Sequence, residues 1–401
     1  MAIAAADMLA TQHVRMQSRT NHAPIVIYLD NNATTRPAAE VVDAVAHAMR
    51  SSWGNPSSQH CVGIGASRAI MDARRALAKL VSASEDAVVF TSGATEANEG
   101  VQRHYCSAGY RLIVSETEHP AVSGFYRRHA ADRLYTVPVD SAGQWDVARL
   151  GNLLAESRAL VAVAWANGET GVVQDIAKVC DCASRHGAAV LVDASQAIGR
   201  IPIDVGLTAM NFLTLSGHKF HAPKGIGALV LCDAGPNEFV LQTGGGQERG
   251  IRGGTENVPG IVGLGLACTL RRRNFDAEAA YLRSLRRDFE GKLIKRLSDI
   301  RVNGAQAHRL PNTSNVCFGG VEGTALVARL ENRNVICSQT SACTSGSPEP
   351  SSTLLAMGLS REEAHASVRF AFAVDNSKQD VDSAVEAIVD EVTALRRMFS
   401  V

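Results

Sequence analysis

The sequence has no excess charge of either sign, few aromatic residues and no long apolar run. Its 401 residues carry 40 Lys and Arg against 40 Asp and Glu, so the formal net charge is zero, and aromatic residues make up 5%. The missing basic excess argues against direct nucleic-acid binding and against a polybasic membrane contact. Apolar runs such as 159–166 fall far short of the ~18 residues that a membrane span needs. We therefore expect a soluble protein with no membrane partner, and at roughly 150 residues per domain its length predicts two to three domains.

The sequence also lacks a disulfide framework. It has nine cysteines, an odd number at scattered positions, which favours a reducing, cytoplasmic location. Cys180, Cys182 and His186 form a C-x-C followed by a histidine, but no second ligand pair accompanies them. We therefore expect no metal site.

The N-terminal residues 1–24 are rich in alanine and lack the apolar core of a secretory signal. They predict a flexible N-terminal tail, and a weakly amphipathic organellar presequence is the alternative.

Apolar strand-like runs alternate with helical patterns through the first two thirds of the chain. Residues 38–50 and 64–81 have a helical period. The runs that predict strands are 87–93, 111–120, 160–171, 188–196, 211–220 and 225–232. Continuous apolar strands separated by helices predict a mostly parallel sheet with helices on both faces, an α/β fold.

Polar residues follow the carboxyl ends of four of these strand-like segments. They are Glu118, His119, Asn167, Glu169, Asp193, Gln196, Ser216, His218 and Lys219. Ligands of open α/β sheets bind outside the carboxyl ends of the strands. Any one of these segments is also consistent with a solvated loop, but four together predict a single ligand crevice.

Beyond this sheet, residues 244–260 form a glycine-rich segment too long for a simple turn, which is typical of functional loops. After residue 271 the pattern changes to longer helices and short strands of antiparallel type. We interpret the arginines at 271–273 as a solvated helix face, and the last 130 or so residues as a second, smaller domain.

The residue types at these positions indicate a pyridoxal phosphate site. Lys219 at the end of a buried strand is a candidate amine for a Schiff base, although a phosphate-holding or solvated lysine is the alternative on this segment alone. Asp193 ends an apolar strand, where an anion needs a cationic partner such as a protonated pyridine nitrogen. Residues 91–96 offer backbone N–H groups and Thr95 at a helix N-terminus, which favours a phosphate.

Motifs spread from about residue 25 to 395 resemble those of cysteine desulfurases of the NifS/IscS type, which are class V, fold-type I pyridoxal phosphate enzymes. The matching segments are YLDNNATT, GNPSS, FTSGATEAN, TEH, NGETG, VDASQ, SGHK, GGGQERGIRGGTENVPG and SACTSGSPEPS. The resemblance implies a large cofactor-binding domain at 36–270 with a mostly parallel seven-stranded sheet. It also implies a smaller α+β domain, formed by 25–35 and 271–401, that carries the catalytic cysteine loop.

The resemblance implies how the chain holds pyridoxal 5'-phosphate. Lys219 would bind the aldehyde, Asp193 would pair with the pyridinium nitrogen, and Gln196 would hydrogen-bond the phenolic oxygen. His119 would stack on the ring and assist proton transfer. The residues that would hold the phosphate are Ala94, Thr95, Ser216, His218 and, from the other subunit of a homodimer, Thr255.

The substrate site and the reaction are implied in the same way. Arg369 would clamp the carboxylate of L-cysteine, with help from Asn55 and Asn32. Cys343, set among serines, threonines and a glycine, suits a thiol on a mobile loop. Its thiolate would take the substrate's sulfur as a persulfide, release L-alanine and pass the sulfur to a protein acceptor.

Three departures from the family pattern stand out. Gly168 occupies the place of an asparagine that usually hydrogen-bonds the cofactor's phenolic oxygen, Glu99 replaces an asparagine, and Gln339-Thr340 replaces serine-glycine. We expect weaker tuning of the cofactor, not its loss. The departures suggest a specialised member that serves iron–sulfur cluster supply, DNA or tRNA sulfur modification, or sulfur insertion into a metabolite.

Two alternatives remain open from the sequence. The first is a related enzyme without the persulfide step, such as a selenocysteine lyase or a class V aminotransferase. The second is a scaffold whose cofactor site has decayed, as Gly168 suggests, although Lys219, Asp193, Arg369 and Cys343 all remain.

Overall fold

The structure is a computed structural model that describes residues 26–232, 239–339 and 349–399. The predicted tail at 1–24 and the candidate thiol of Cys343 lie outside the described residues.

A seven-stranded, mostly parallel sheet forms the centre of the larger part of the chain. The strand next to one edge, β8, runs antiparallel to both neighbours, and the other pairs are parallel. In spatial order the strands are β2 (Val88–Thr91), β8 (Gly227–Leu231), β7 (Phe212–Ser216), β6 (Ala189–Asp193), β5 (Ala159–Ala164), β3 (Arg111–Ser115) and β4 (Leu134–Val137). The sheet predicted from the alternating apolar runs is confirmed.

Both faces of this sheet are buried, which explains why its strands are apolar at consecutive positions. In β5, Val161 and Val163 enter the core on one face, whereas Leu160 and Ala162 enter the core on the other. Helices cover the two faces. They are α1 (Ala39–Ser51), α2 (Cys61–Val81), α3 (Ala94–Ser107), α4 (Pro120–His129), α5 (Val147–Leu154) and α6 (Ile176–Arg185).

A separate apolar cluster involves the C-terminal third of the chain. It includes two small sheets, an antiparallel one in the order β12-β10-β9 and a parallel pair β1-β11. Their strands are β1 (Ile27–Tyr28), β9 (Ile300–Val302), β10 (Thr313–Phe318), β11 (Val335–Ile336) and β12 (Ser367–Ala371). The helices of this region are α8 (Gly323–Glu331), α9 (Ser352–Ala356), α10 (Arg361–His365) and α11 (Lys378–Phe399).

One long helix, α7 (Val258–Arg296), joins the two parts. Its first half packs in the core of the large sheet, and Leu285 and Phe289 of its second half pack in the C-terminal cluster. The predicted boundary between residues 270 and 271 therefore falls inside a continuous helix, and the two-domain division stays a prediction. The interpretation of 271–273 as a solvated face is wrong for Arg271, which is buried and paired with Glu278 at 2.6 Å.

The fold brings the loop after β1 against the carboxyl ends of β6 and β7. Strand β1 pairs with β11, and Asp30 forms an isolated bridge to Ala371 at the end of β12. The following residues then run to the large sheet, where Thr35 N donates to the carbonyl of His218 at 2.9 Å. None of the helices described is both long and apolar enough to span a bilayer.

Candidate active site

Lys219 lies in a single 3-10 turn, Gly217–Lys219, directly after β7. A side chain at Gly217 would come within 3.0 Å of Ala222 Cβ and Leu264 Cδ1, so a glycine allows this turn to pack tightly. The amine of Lys219 donates to the carbonyls of Asn32 at 2.7 Å and Ala33 at 2.9 Å. The sheet and the loop after β1 thus fix the position of this amine together.

Asp193, the last residue of β6, carries a carboxylate held by neutral donors. The residue is 7% exposed, and its two oxygens accept from Asn98 Nδ2 and from the Ser195 amide, each at 2.8 Å. Asn98 is itself oriented by Thr214 of β7, whose hydroxyl donates to Asn98 Oδ1 at 2.7 Å. This chain of hydrogen bonds fixes the carboxylate in a buried position where a cationic ring nitrogen is a fitting partner.

His119 caps the N-terminus of α4, with Nδ1 accepting from the Ala121 amide at 3.1 Å. Part of the residue is exposed, but the surrounding protein desolvates the ring and lowers its pKa. Asp193 opposes this effect on the pKa of His119, and Lys219 adds to it. His119 is therefore a neutral imidazole at pH 7, and because Nδ1 accepts, the ring proton lies on Nε2.

Glu118 carries a second carboxyl beside this group, on a residue that is partly exposed. Its Oε2 accepts from the Ala164 amide at the end of β5 at 2.7 Å. Desolvation by the surrounding protein and the charge of Asp193 raise the pKa of Glu118 to about 8, although the hydrogen bond from the Ala164 amide opposes the rise. Glu118 therefore carries a proton at pH 7, beside His119 and Asp193, which both have candidate roles in catalysis.

The N-terminus of α3 forms a candidate phosphate cradle. Ser216 Oγ accepts from the Ala94 amide at 2.9 Å, and Thr95 is exposed in the first turn of this 14-residue helix. The backbone segments meet closely here, since a Cβ at Gly227 would lie 2.6 Å from the Cα of Gly93. Backbone N–H groups and hydroxyls at a helix N-terminus suit an anion.

His218 lies beside this cradle. Its Nδ1 is 3.1 Å from Thr34 Oγ1, and burial with the nearby charge of Lys219 lowers its pKa to about 4. At pH 7 His218 is consequently a neutral hydrogen-bonding group.

A second cluster surrounds Asn32, which is 1% exposed. Its Nδ2 donates to the carbonyl of Gly168 at 3.0 Å and to Thr313 Oγ1 at 2.9 Å. Gln196 Nε2 donates to the Asn32 carbonyl at 3.0 Å, so the same peptide group receives both Gln196 and Lys219. The structure therefore brings together Asn32, Gln196 and Lys219 as the sequence predicts.

Arg369 of β12 reaches the same place from the C-terminal part of the chain. It is 1% exposed, and its Nη2 contacts Asp30 Oδ1 at 2.5 Å while Nη1 donates to the Gly168 carbonyl at 3.2 Å. Its Nε is buried and has no hydrogen-bond partner among the described residues. An unsatisfied donor on a guanidinium fits the expected carboxylate ligand.

Three predicted residues are not joined to this cluster by the described contacts. Asn55 is exposed and its side chain accepts from the Ser57 amide at 2.9 Å, a local turn. Thr255 is exposed on the glycine-rich segment. Cys343 lies outside the described residues. Ser351, shortly after the chain is described again at residue 349, donates to Glu169 Oε2 at 2.5 Å and so connects this part of the chain to the 167–171 turn.

The donor set fits pyridoxal phosphate. Four kinds of group lie at the carboxyl ends of strands of the large sheet. They are a primary amine after β7, a buried carboxylate at the end of β6, a neutral imidazole after β3 and an amide-rich helix N-terminus after β2. These are the groups that the aldehyde, the ring nitrogen, the ring face and the phosphate require.

Sequence reasoning missed several residues that hold this arrangement. Asn98 belongs to the FTSGATEAN segment, but no role was assigned to it from the sequence. A usable signal was its place as a polar residue on the helix face that Ala94, Ala97 and Val101 bury. Asp30 and Arg200 gave no local signal, because their partners are distant in sequence.

The comparisons with known proteins agree on one family. A profile described as Aminotransferase class-V matches residues 27–384. A cysteine desulfurase from Sinorhizobium fredii is 40% identical over 377 residues, which cover 92% of this chain and 97% of the relative. The chain therefore belongs to the class-V aminotransferase family, among its cysteine desulfurases of the NifS/IscS type, and the fold and enzyme class predicted from the sequence are confirmed.

Solved structures give the same result. The NifS-like protein from Rickettsia africae has a TM-score of 0.84 and 29% identity, and the match covers 92% of this chain and all (100%) of that one. SspA in complex with cysteine has a TM-score of 0.75 and 31% identity, over 86% of this chain and 98% of that one. The family is one of pyridoxal phosphate enzymes.

Proposed function

We propose that the chain removes sulfur from L-cysteine with pyridoxal 5'-phosphate bound at Lys219, and that Cys343 receives the sulfur. The C–S bond of the substrate breaks, an S–S bond to Cys343 forms, and the products are L-alanine and a Cys343 persulfide. The proton that the Cys343 thiol releases is matched by the one that completes the methyl group of L-alanine. Sulfur is oxidised to the persulfide level while the substrate's β-carbon is reduced, so atoms and electrons balance without an external oxidant. The observation that carries the proposal is that the Lys219 amine and the Arg369 guanidinium reach the same group of contacts, at Asn32 and Gly168. Asp193 lies close enough to this lysine for both charges to act on the pKa of His119.

Each described residue contributes a defined part of this chemistry. When bound, the cofactor supplies an electron sink for the negative charge that develops at the substrate's α-carbon. Asp193, held by Asn98 and the Ser195 amide, would keep the ring nitrogen protonated. Lys219, whose amine lies at two carbonyls, would hold the aldehyde of the cofactor and would accept the substrate's α-proton. His119 would contact the ring and transfer protons through Nε2.

Phosphate binding is assigned to the α3 N-terminus with Ala94, Thr95, Ser216 and His218, and to Thr255 from a second copy of the chain. Two observations support the homodimer that this requires. Thr255 is exposed on its own protomer, and five of the eleven exposed large apolar side chains of the described residues lie in α1, α2 and the loop between them. Such concentration is typical of an interface. Light scattering should give twice the chain mass, 85.0 kDa from 42.5 kDa per chain.

Substrate binding is assigned to Arg369, with Asn32 and Asn55. The buried, unpartnered Nε of Arg369 supports a carboxylate contact that is strong because water is excluded. The 167–171 turn links this guanidinium to the chain that returns from the Cys343 segment, since Gly168 contacts Arg369 and Glu169 contacts Ser351.

The sulfur on Cys343 passes to a protein acceptor, and the candidate pathways remain iron–sulfur cluster assembly and the thiolation of nucleic acids or metabolites. The odd number of scattered cysteines supports a reducing, cytoplasmic location for a persulfide enzyme.

The test combines product analysis with mass spectrometry. L-Cysteine and a reductant should give alanine and sulfide in equal amounts, and incubation without reductant should add one sulfur atom to the peptide that contains Cys343. Cys343→Ala should abolish both while leaving the absorbance of the bound cofactor unchanged. Alanine formation that survives Cys343→Ala would instead indicate a lyase or aminotransferase without a persulfide step, and a colourless protein would indicate a decayed site.

A further inference from the structure

Arg200 lies behind the cofactor site and contacts three of its segments. The residue is 7% exposed and follows β6 in a series of turns. Its Nη2 donates to the carbonyls of Asn31 and Lys219, each at 3.1 Å. Its Nη1 donates to Gln196, both to the side-chain Oε1 and to the carbonyl, the latter at 3.3 Å.

All these acceptors are neutral, which is unusual for a buried cation. Among the described residues no carboxylate oxygen lies within 4.0 Å of the guanidinium of Arg200. Burial and, to a smaller extent, the charge of Arg369 lower the pKa of Arg200 to about 9. At pH 7 the group still carries its charge, and a buried charge without a counter-ion is costly. Such groups concentrate at functional sites.

The contact with Arg200 determines which way the Gln196 amide faces. Because Oε1 accepts from Arg200, the other end of the amide must be the NH2 group, which donates to the Asn32 carbonyl at 3.0 Å. An amide nitrogen has two N–H groups, so one donor remains beyond the bond to Asn32. Gln196 can therefore offer the site only a donor, which suits an anionic oxygen.

We propose that Arg200 is a positioning residue that locks Gln196 as a hydrogen-bond donor toward the cofactor's phenolic oxygen and favours the anionic form of that oxygen through its own charge. The proposal rests on the function proposed above. It also gives a reason why Gly168 is tolerated, since the one remaining amide near the phenolic oxygen is held by a charged group and cannot flip.

The positive or basic groups around Arg200 are Lys219, His218, His221 and Arg369. The nearest carboxylate on the loop of its acceptor Asn31, Asp30, is paired with Arg369. Since the other positive groups remain, removing Arg200 alone should weaken, but not reverse, the preference for an anionic phenolic oxygen.

The test follows the visible absorbance of the lysine-bound cofactor against pH. In Arg200→Met we expect the protonation midpoint to rise by about 0.5–1 pH unit, roughly three- to tenfold in the protonation equilibrium, because the amide can flip and a nearby positive charge is lost. Arg200→Lys keeps the charge but holds fewer acceptors and should give a smaller rise. When Gln196 is already replaced by alanine, Arg200→Met should raise the protonation midpoint by less, because the side-chain amide that Arg200 orients is absent.

Arg286→Met is the matched control. Arg286 is also a buried arginine, but it donates to the Leu310 carbonyl in the C-terminal part of the chain. Its loss should lower thermal stability without moving the midpoint. A merely structural Arg200 would behave in the same way, so an unchanged midpoint in Arg200→Met overturns the proposal. If Arg200→Met does not fold, an unchanged midpoint in Arg200→Lys overturns it.

A preliminary measurement separates this proposal from the function on which it rests. Borohydride reduction and digestion of the wild-type protein should place the cofactor on the peptide that contains Lys219. If the cofactor is absent there, the proposed function fails. If it is present and the Arg200 variants titrate as wild type does, only the role of Arg200 fails.

Discussion

The buried ion pair between Arg74 of α2 and Glu248 of the glycine-rich segment should be the most sensitive point of that segment. The two side chains are 12% and 2% exposed and form two bonds, of 2.7 Å and 2.9 Å. Glu248 Oε2 also accepts from the Phe90 amide at 3.0 Å, and the backbone at Glu248 has a positive φ of 45°. Arg74→Met leaves this carboxylate buried and unpaired, which typically costs about 3–5 kcal/mol of unfolding free energy.

Urea unfolding followed by circular dichroism measures this cost, and the neighbouring arginine provides the control. Arg75 pairs with Glu85 and Asp72 at 3.0 Å, but its side chain is 47% exposed, so Arg75→Met should cost at most about 1 kcal/mol. The double variant Arg74→Met with Glu248→Gln should recover part of the loss, because no buried charge remains. The reasoning would be refuted if Arg74→Met and Arg75→Met lowered the free energy of unfolding equally, or if the double variant were less stable than Arg74→Met alone.

Three further predictions concern the site itself. Gly168→Asn should lower the protonation midpoint of the lysine-bound cofactor by up to about one pH unit, because the new side chain adds a hydrogen-bond donor worth about 0.5–1.5 kcal/mol. The Cβ of the new residue would lie 3.1 Å from Gln196 Nε2, and an unchanged midpoint would contradict the expectation. Glu118 has a folded-state pKa raised to about 8, so its contribution to stability is complete below pH 4.5 and is lost as the pH rises through 8. Glu118→Gln should therefore make the melting temperature less dependent on pH across that range, and parallel curves of melting temperature against pH for variant and wild type would contradict this. Asn98→Leu removes the donor to Asp193 at 2.8 Å and should weaken cofactor binding by about 1.5–3 kcal/mol, measured as the cofactor's dissociation constant; equal affinity would show that the carboxylate needs no such support.

The large sheet could be predicted from the sequence, and Lys219 could be proposed as the cofactor lysine, because both signals are local. The apolar runs at 160–166 and 188–193 are continuous since both faces of β5 and β6 are covered, and that pattern is visible without coordinates. Polar residues at strand ends then mark the crevice. The domain boundary near residue 270 was harder to place, since α7 changes its packing partners without any break in its helical pattern.

The amino-acid sequence by itself determined the fold class and the family, and it supplied the groups that we propose carry the chemistry, because strand and helix periods and motif residues are properties of neighbouring positions. Only the tertiary structure decided what supports those groups. Asn98 and Asp193 are 95 residues apart, Arg200 and Asn31 are 169 apart, and Asp30 and Arg369 are 339 apart. No periodicity encodes such pairs, since they form only when the loop after β1 and strand β12 pack against the carboxyl ends of the large sheet. Burial then decides their consequences, as it does for the proton of Glu118 and the uncompensated charge of Arg200.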